Sequence, residues 1–236
     1  MTTLTGRLAD LASGALLGTA QITGVSRLSA GFVRVKLTAE AFQKAAWAPG
    51  VKLQLRPQRG RMALRTYTPV DWDATRGAVD LIGFTHAGGP GAEWFRRAAV
   101  GDACQVFGPR RSIALRDLAG AVLFVGDESS VALACALQSV TSNASYVFEA
   151  RDPAGLSQLL AGLGIAERVA VVTKAADRTD LLRQAREVAA VGPCALVVTG
   201  DAATVHAVRR DSRNWAPAPV QVKGKAYWAE GRAGLD

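Results

Sequence analysis

A change of pattern near residues 118–120 constrains the fold of this chain more than any other feature. Before it, short apolar segments follow one another, separated by turn signals such as Ala48-Pro49-Gly50 and Gly101-Asp102. After it, buried-type strand segments alternate with helical stretches. The pattern predicts an antiparallel β domain followed by a parallel α/β domain. Since 236 residues suffice for two domains, we place them at residues 1–118 and 119–236.

The first half is predicted to contain six short strands separated by short turns. Strands at such close spacing favour a small antiparallel six-stranded barrel. The predicted strands are residues 20–28, 32–38, 51–56, 64–68, 79–84 and 103–107. One helix interrupts them, over residues 93–99, and Pro90 suits its first position because proline there loses no hydrogen bond.

The second half predicts a doubly wound parallel sheet with helices on both faces. Its predicted strands are residues 121–125, 145–149, 169–173, 195–199 and 219–223, and its predicted helices are residues 130–141, 153–161, 177–189 and 202–210. Such sheets bind ligands at the carboxyl ends of their strands, where Gly126 and Gly200 lie.

The run Arg65-Thr66-Tyr67-Thr68 combines a cation, an aromatic ring and hydroxyls within four residues. On an extended strand Arg65 and Tyr67 share one face. A guanidinium can bind a pyrophosphate bidentately, and a tyrosine ring can lie against a flat heterocycle. The alternative is an ordinary strand that carries one arginine with its head in water.

Two turns present further candidate positions for anionic ligands. The glycines between His86 and Ala92 permit close backbone approach, and the helix that follows offers free amides to an anion, although a plain Gly/Pro loop is the simpler reading. The turn from Gly126 to Ser130 has one glycine and no G-x-G-x-x-G pattern, so its serines fit a helix cap equally well. Its carboxylates, Asp127 and Glu128, would repel a pyrophosphate placed directly over them.

Composition narrows the function classes. The net charge of +8 comes from dispersed basic residues, which suits anionic small molecules better than nucleic acid. Three distant cysteines and two histidines make an iron–sulfur cluster, a structural zinc or any other metal site unexpected. The absence of an 18-residue apolar run predicts no membrane span, and the N-terminus lacks a signal layout, so we expect the cytoplasm.

The ordered motifs resemble the siderophore-interacting proteins, FAD-dependent ferric-siderophore reductases of the ferredoxin reductase-like superfamily. The resemblance spans residues 19–235. The shared motifs, in chain order, are Pro49-Gly50-Val51-Lys52-Leu53, Arg65-Thr66-Tyr67-Thr68, His86 with Gly89-Pro90-Gly91-Ala92-Glu93-Trp94, Gly101-Asp102, Gly108-Pro109, Gly126-Asp127-Glu128-Ser129, Gly200-Asp201 before Arg209-Arg210, and Tyr227-Trp228 with Gly231.

The resemblance implies a role for each matched position. Arg65 would neutralise the FAD pyrophosphate, Tyr67 would pack on the isoalloxazine and Thr68 would contact the flavin near N5. The remaining implied FAD contacts are Thr66, His86, Gly89, Pro90, Gly91 and Ala92. The implied NAD(P)H contacts are Gly126, Asp127, Glu128, Ser129, Ser130, Arg151, Gly200 and Asp201, and the implied contacts to an anionic ferric chelate are Lys52 and Arg110.

Three positions depart from the family pattern. The family often has a basic residue where Val70 stands, a small or hydroxyl residue at Ala92, and glutamate at Asp201. At the implied nucleotide site Glu149 and Arg151 flank the same position, so charge does not choose between NADH and NADPH.

The resemblance implies that NADPH or NADH reduces FAD, which then reduces the Fe(III) of a siderophore and releases Fe(II) in the cytoplasm. Reduced ferredoxin is an alternative donor, and we expect a monomer. Two other functions stay open: a flavin reductase that serves a protein acceptor, and a non-catalytic siderophore-binding module, for which Val70 is the sole support.

Overall fold

The computed structural model describes residues 18–57, 64–86 and 88–232. The chain forms two compact units, the first ending at Ser112 and the second beginning at Ile113. The predicted boundary after residue 118 lies slightly downstream, and the assignment of FAD to one domain and NAD(P)H to the other stays a prediction. None of the described helices has both the length and the apolar character that crossing a membrane requires.

The first unit contains one antiparallel sheet of seven strands. They are β1 (Gly18–Arg27), β2 (Phe32–Thr38), β3 (Lys52–Arg56), β4 (Arg65–Tyr67), β5 (Val70–Asp73), β6 (Ala78–Phe84) and β7 (Ala103–Arg110). Neighbouring strands pair in the order β4-β3-β7-β1-β2-β6-β5. The predicted antiparallel class is confirmed, and β5 is a seventh strand in addition to the six predicted.

Alternating apolar side chains of this sheet form the core of the first unit. Val35 lies opposite Leu81 and Leu37 opposite Val79, and all four are fully buried. A short unpredicted helix, α1 (Glu40–Lys44), adds Phe42 to this core.

The helix α2 (Pro90–Arg97) is fixed to the sheet by one aromatic side chain. Phe95 is 1% exposed, and a Cβ on Gly83 of β6 would lie 2.2 Å from its ring. Only glycine at position 83 allows this contact, so α2 lies close over β6. The packing therefore fixes where the first turn of α2 lies.

The second unit contains a parallel sheet with the strand order β10-β9-β8-β11-β12. Its strands are β8 (Ala121–Gly126), β9 (Ala144–Ala150), β10 (Val169–Thr173), β11 (Cys194–Asp201) and β12 (Gln221–Trp228). Its helices are α3 (Val131–Gln138), α4 (Pro153–Gly162), α5 (Thr179–Ala189) and α6 (Ala202–Asp211). The predicted doubly wound sheet is confirmed.

The strand order of the second unit reverses at β8. The chain runs outward from β8 to β9 and β10, then returns to the other side of β8 with β11 and β12. In such sheets ligands bind outside the carboxyl ends of the strands at this reversal. Gly126 ends β8, and Gly200 and Asp201 end β11, so these predicted residues lie at that position.

Candidate functional site

Strand β4 brings Arg65 and Tyr67 to the first turn of α2. β4 pairs with β3, with Leu55 opposite Arg65 and Leu53 opposite Tyr67. A Cβ on Gly91 would lie 2.3 Å from Tyr67 Oη and 3.6 Å from Arg65 Cγ. Three residues of the predicted FAD site therefore lie together, and glycine at position 91 is required for that approach.

The Tyr67 ring is held in one orientation by Phe95, whose ring centroid lies 5.1 Å away in an edge-on arrangement. Burial raises the pKa of the Tyr67 hydroxyl, and Arg65 opposes this only partly. Tyr67 is therefore a neutral, fixed aromatic surface over the whole physiological pH range, as packing against a flat ring system requires.

The backbone amides in the first turn of α2 are not capped by any side chain. Gly89 precedes the helix with φ 101°, no side chain caps it, and Pro90 occupies the first position. Glu93, the acid of this turn, is engaged by Arg96, whose Nη2 lies 2.7 Å from Oε2, and by Arg97. The hydrogen bond from Arg96, more than any other contact, lowers the pKa of Glu93. Uncapped helix amides and a neighbouring arginine are groups that can bind a pyrophosphate.

The segment that leads into α2 rests on the turn between β1 and β2. The backbone N–H and the hydroxyl of Thr85 both donate to the Gly31 carbonyl, at 2.9 and 2.6 Å. A Cβ on Gly31 would lie 2.5 Å from His86 Nε2, so the imidazole packs against this glycine and is exposed on its outer side. A contact between His86 and FAD stays a prediction. Ala87 lies outside the described residues.

The remaining positions of the Arg65 motif lie within β4 and just after it. Thr66 pairs with Gln54 of β3, and Thr68 follows the strand, half-buried. Val70, where the family often has a basic residue, is 5% exposed and pairs with Asp80 of β6. A cation at position 70 would be buried beside Asp80, whose carboxylate already pairs with Arg34 and Lys36, so it would lack a free partner. The departure therefore fits the local packing.

Lys52 and Arg110, the predicted chelate contacts, lie directly opposite each other on β3 and β7. The pairing shifts register between Lys52 and Gln54, so β7 accommodates an extra residue around Gly108. Gly108 has φ 116°, and a Cβ there would lie 2.9 Å from the Lys52 carbonyl oxygen. Arg110 is exposed and extends over the Phe107 ring at 5.4 Å. The bulge thus creates a basic pair at the surface.

In the second unit Asp127 occupies the strand-order reversal. It is 1% exposed. Its Oδ1 accepts hydrogen bonds from the Ser129 N–H at 2.9 Å and hydroxyl at 2.5 Å. Its Oδ2 accepts from the Asp201 N–H at 3.0 Å and from Trp228 Nε1–H at 2.8 Å, and Lys174 Nζ lies 3.4 Å away. Both carboxylate oxygens of Asp127 therefore accept hydrogen bonds from protein groups.

Two glycines and a capping box make this arrangement possible. The Asp127 side chain caps the turn that leads into α3, and Ser130 Oγ accepts a hydrogen bond from the Asp127 N–H. A Cβ on Gly200 would lie 2.6 Å from Asp127 Cγ, and Gly200 has φ 115°. A Cβ on Gly126 would lie 2.6 Å from Ser130 Cβ. The Ser129 and Ser130 amides of this turn are thus bound to Asp127 and not offered to a pyrophosphate.

Asp201 is likewise turned into the protein. It caps α6 by accepting from the Thr204 N–H at 3.4 Å, and Arg178 Nη2 donates to it at 2.9 Å. Burial alone would raise the pKa of Asp201, but Arg178 and the amides of Ala203 and Thr204 outweigh burial and lower it. Asp201 is thus a charged structural cap at neutral pH.

Glu149 completes the polar network. It is 1% exposed, Thr204 Oγ1 donates to its Oε1 at 2.7 Å, and Lys174 Nζ lies 3.5 Å away. Burial raises the pKa of Glu149 despite these two partners. Lys174 also lies 4.6 Å from the centroid of the Trp228 ring. One lysine therefore joins two buried carboxylates and an indole.

Arg151 differs from the other predicted nucleotide contacts because it is exposed. Its backbone N–H donates to Glu128 Oε1 at 2.9 Å, which fixes the position of the residue just after β9.

Sequence reasoning missed Lys174, Arg178 and Thr204, and gave Trp228 no role. The sequence did contain a signal for two of them. Lys174 and Arg178 are basic residues that follow the carboxyl end of β10, just as Arg151 follows that of β9. Among the described residues no cluster of three or more metal-ligating side chains occurs.

Comparison with known proteins agrees with this geometry. Residues 48–113 match the family model of the siderophore-interacting FAD-binding domain, which confirms the resemblance found in the sequence. This segment contains Arg65, Tyr67, Gly91, Lys52 and Arg110. None of the curated proteins matches the chain.

Solved structures share the fold over almost the whole chain. A siderophore utilization protein from T. fusca is 22% identical with a TM-score of 0.75, covering 93% of this chain and 95% of that one. The siderophore-interacting protein SipS from Aeromonas hydrophila is 16% identical with a TM-score of 0.73, covering 92% and 93%. Phthalate dioxygenase reductase is 17% identical with a TM-score of 0.68, covering 92% of this chain and 70% of that one. The ferredoxin reductase-like fold is confirmed.

Proposed function

We propose that this flavoprotein is a cytoplasmic ferric-siderophore reductase that uses FAD and NAD(P)H. The observation that carries the proposal is the convergence of Arg65, Tyr67 and the uncapped first turn of α2 inside the segment that matches the siderophore-interacting FAD-binding domain. Two solved structures with the same fold are described as siderophore utilization and siderophore-interacting proteins.

The residues of the first unit fit FAD. Arg65 and the amides of Gly91 and Ala92 would neutralise its pyrophosphate, and the fixed Tyr67 ring would pack on its isoalloxazine. Thr66, Thr68, His86, Gly89 and Pro90 would complete the contacts. Bound FAD supplies the redox chemistry, accepting electrons in pairs from a nicotinamide and passing them on singly.

The substrate contacts would be Lys52 and Arg110. Because the two cations lie opposite each other on neighbouring strands, they present concentrated positive charge to an anionic ferric chelate. Reduction to Fe(II) lowers the charge on the metal and weakens its attraction to anionic oxygen ligands, so the iron is released.

An anaerobic titration tests the proposal. The protein purified with added FAD should be yellow, should bleach on addition of NADPH or NADH, and should regain its colour on addition of a ferric siderophore with formation of Fe(II). A preparation that binds no FAD, or a reduced flavin that ferric chelates do not reoxidise, would contradict it.

A second candidate is a flavin reductase that delivers electrons to a protein. It is favoured by the shared fold with phthalate dioxygenase reductase, described as a structure for electron transfer from pyridine nucleotides to [2Fe–2S]. In this candidate the electrons would pass from FAD to a separate acceptor protein such as a ferredoxin. Faster reoxidation by a ferredoxin than by any ferric chelate would favour this candidate.

A further inference from the structure

Basic residues lie near the carboxyl ends of β9 and β10, and some of them already form ion pairs with protein carboxylates. Lys174 is engaged by Asp127 and Glu149, at 3.4 and 3.5 Å. Arg178 is engaged by Asp201 at 2.9 Å and by the Thr204 hydroxyl at 2.8 Å. Neither cation is available to a ligand without breaking a buried ion pair, which is strongly unfavourable.

The carboxylates near Arg151 are also occupied. Glu149 is buried and accepts from Thr204, so it does not face a ribose outside the sheet. Asp152 caps α4 by accepting from the Gly155 N–H at 3.0 Å. Glu128 accepts the backbone N–H of Arg151 itself. The acid that would bind a ribose 2′-hydroxyl in an NAD-specific site is therefore turned inward.

Arg151 is exposed, and no described carboxylate forms an ion pair with it. It follows β9, the strand next to β8 on the side opposite β11. In doubly wound dinucleotide-binding sheets the residue after this second strand meets the adenosine ribose: an acid binds the 2′-hydroxyl, and an arginine accommodates a 2′-phosphate.

We infer that Arg151 binds the 2′-phosphate of the nucleotide, so that the second unit selects NADPH over NADH. The inference rests on the proposed function, since it requires the second unit to bind a nicotinamide nucleotide. From the sequence alone, Glu149 and Arg151 did not distinguish NADH from NADPH. In the structure Glu149 accepts a hydrogen bond from Thr204, whereas Arg151 is exposed.

Binding of adenosine fragments tests the inference without any flavin chemistry. In calorimetric titrations the protein should bind 2′,5′-ADP roughly ten- to a hundredfold more tightly than 5′-AMP, as expected for a charged hydrogen bond. Arg151→Gln should remove this difference and leave 5′-AMP binding unchanged. Arg213→Gln, at an exposed arginine after α6 near the other end of the sheet, should retain it.

Equal affinity of the wild-type protein for the two fragments, or an undiminished preference in Arg151→Gln, would overturn the inference. Flavin bleaching separates this failure from that of the proposed function. Equal bleaching by NADH and NADPH would overturn the role of Arg151 alone, whereas a flavin that neither nucleotide bleaches would overturn both.

Discussion

At the scale of single residues, the proposed pyrophosphate site depends on Arg65. Val70 is buried at the position where relatives often carry a second cation, so Arg65 lacks that reinforcement. Arg65→Ala should weaken FAD binding by roughly ten- to a hundredfold, the value of one or two charged hydrogen bonds. Flavin fluorescence during titration of the apoprotein measures it. Arg76→Ala, at an exposed arginine of the same unit, serves as the control.

The same variant separates an enzyme from a pure binder. An electron-transfer enzyme should lose FAD and ferric-chelate reduction together, whereas a siderophore-binding module should retain its affinity for the chelate. Unchanged FAD binding in Arg65→Ala would remove Arg65 from the site.

The proposed FAD site requires glycine at position 91, because a side chain there would collide with Tyr67. Gly91→Ala would place a methyl group 2.3 Å from Tyr67 Oη, so the ring or the helix must move, at a cost of about 1–3 kcal/mol. We expect roughly tenfold weaker FAD binding and a shifted flavin absorption spectrum. Gly88→Ala is a matched control, because a Cβ on Gly88 meets no atom within 4 Å. Equal behaviour of the two variants would contradict the contact.

Glu149 predicts a specific pH dependence of stability. Its folded-state pKa is raised by burial, so the folded protein binds this proton more tightly than the unfolded chain. The free energy of unfolding that Glu149 contributes should therefore fall as pH rises from its ordinary pKa of 4.5 through the raised folded pKa. Glu149→Gln should remove this decline while keeping an acceptor for Thr204. Urea unfolding at a series of pH values measures it, and parallel curves for the two proteins would refute it.

At the scale of elements, Asp127 links the carboxyl ends of β8, β11 and β12, with Lys174 just after β10. Gly200→Ala would bring a methyl group 2.6 Å from Asp127 Cγ at a positive φ. We expect the second unit to lose about 2 kcal/mol or more of stability, measured as a lower transition temperature. Gly192→Ala, where a Cβ meets nothing within 4 Å, should change it little. A stable Gly200→Ala protein would show that Asp127 has another arrangement.

Most helices and strands were predictable from the sequence, whereas the hydrogen-bond partners of the side chains at the strand ends were not. Residues 32–38 and 169–173 were predicted with their observed bounds, because alternating or continuous β-branched runs dominate there. β5 was missed because it is short and follows Pro69. The inward turn of Asp127 was missed because three of its donors, from Lys174, Asp201 and Trp228, lie 47, 74 and 101 residues away in the sequence, and local sequence carries no signal for contacts at such separations.

At the scale of the molecule, the net charge of +8 should accelerate the encounter with anionic chelates and make it salt-dependent. We expect the double variant Lys52→Gln/Arg110→Gln to raise KM for a ferric siderophore and to flatten the dependence of kcat/KM on ionic strength, with FAD retained. Stopped-flow reoxidation of reduced protein measures this.

The control for this experiment removes two charges elsewhere in the first unit. Lys44→Gln/Arg76→Gln changes exposed cations that pair with Glu40 and Asp73, so the net charge falls equally. If both double variants lose the same activity, net charge alone would account for the effect and the basic pair would have no special role.

The partners of Asp127 also have a consequence for protein synthesis. Its hydrogen bonds reach forward 74 residues to Asp201 and 101 residues to Trp228. A carboxylate buried without these donors is unfavourable, so the second unit has no complete interior until residue 228 has left the ribosome. The first unit ends at Ser112 and is free to fold while the rest is still being translated. A ribosome stalled before Trp228 should therefore carry a protease-resistant first unit followed by a protease-sensitive chain.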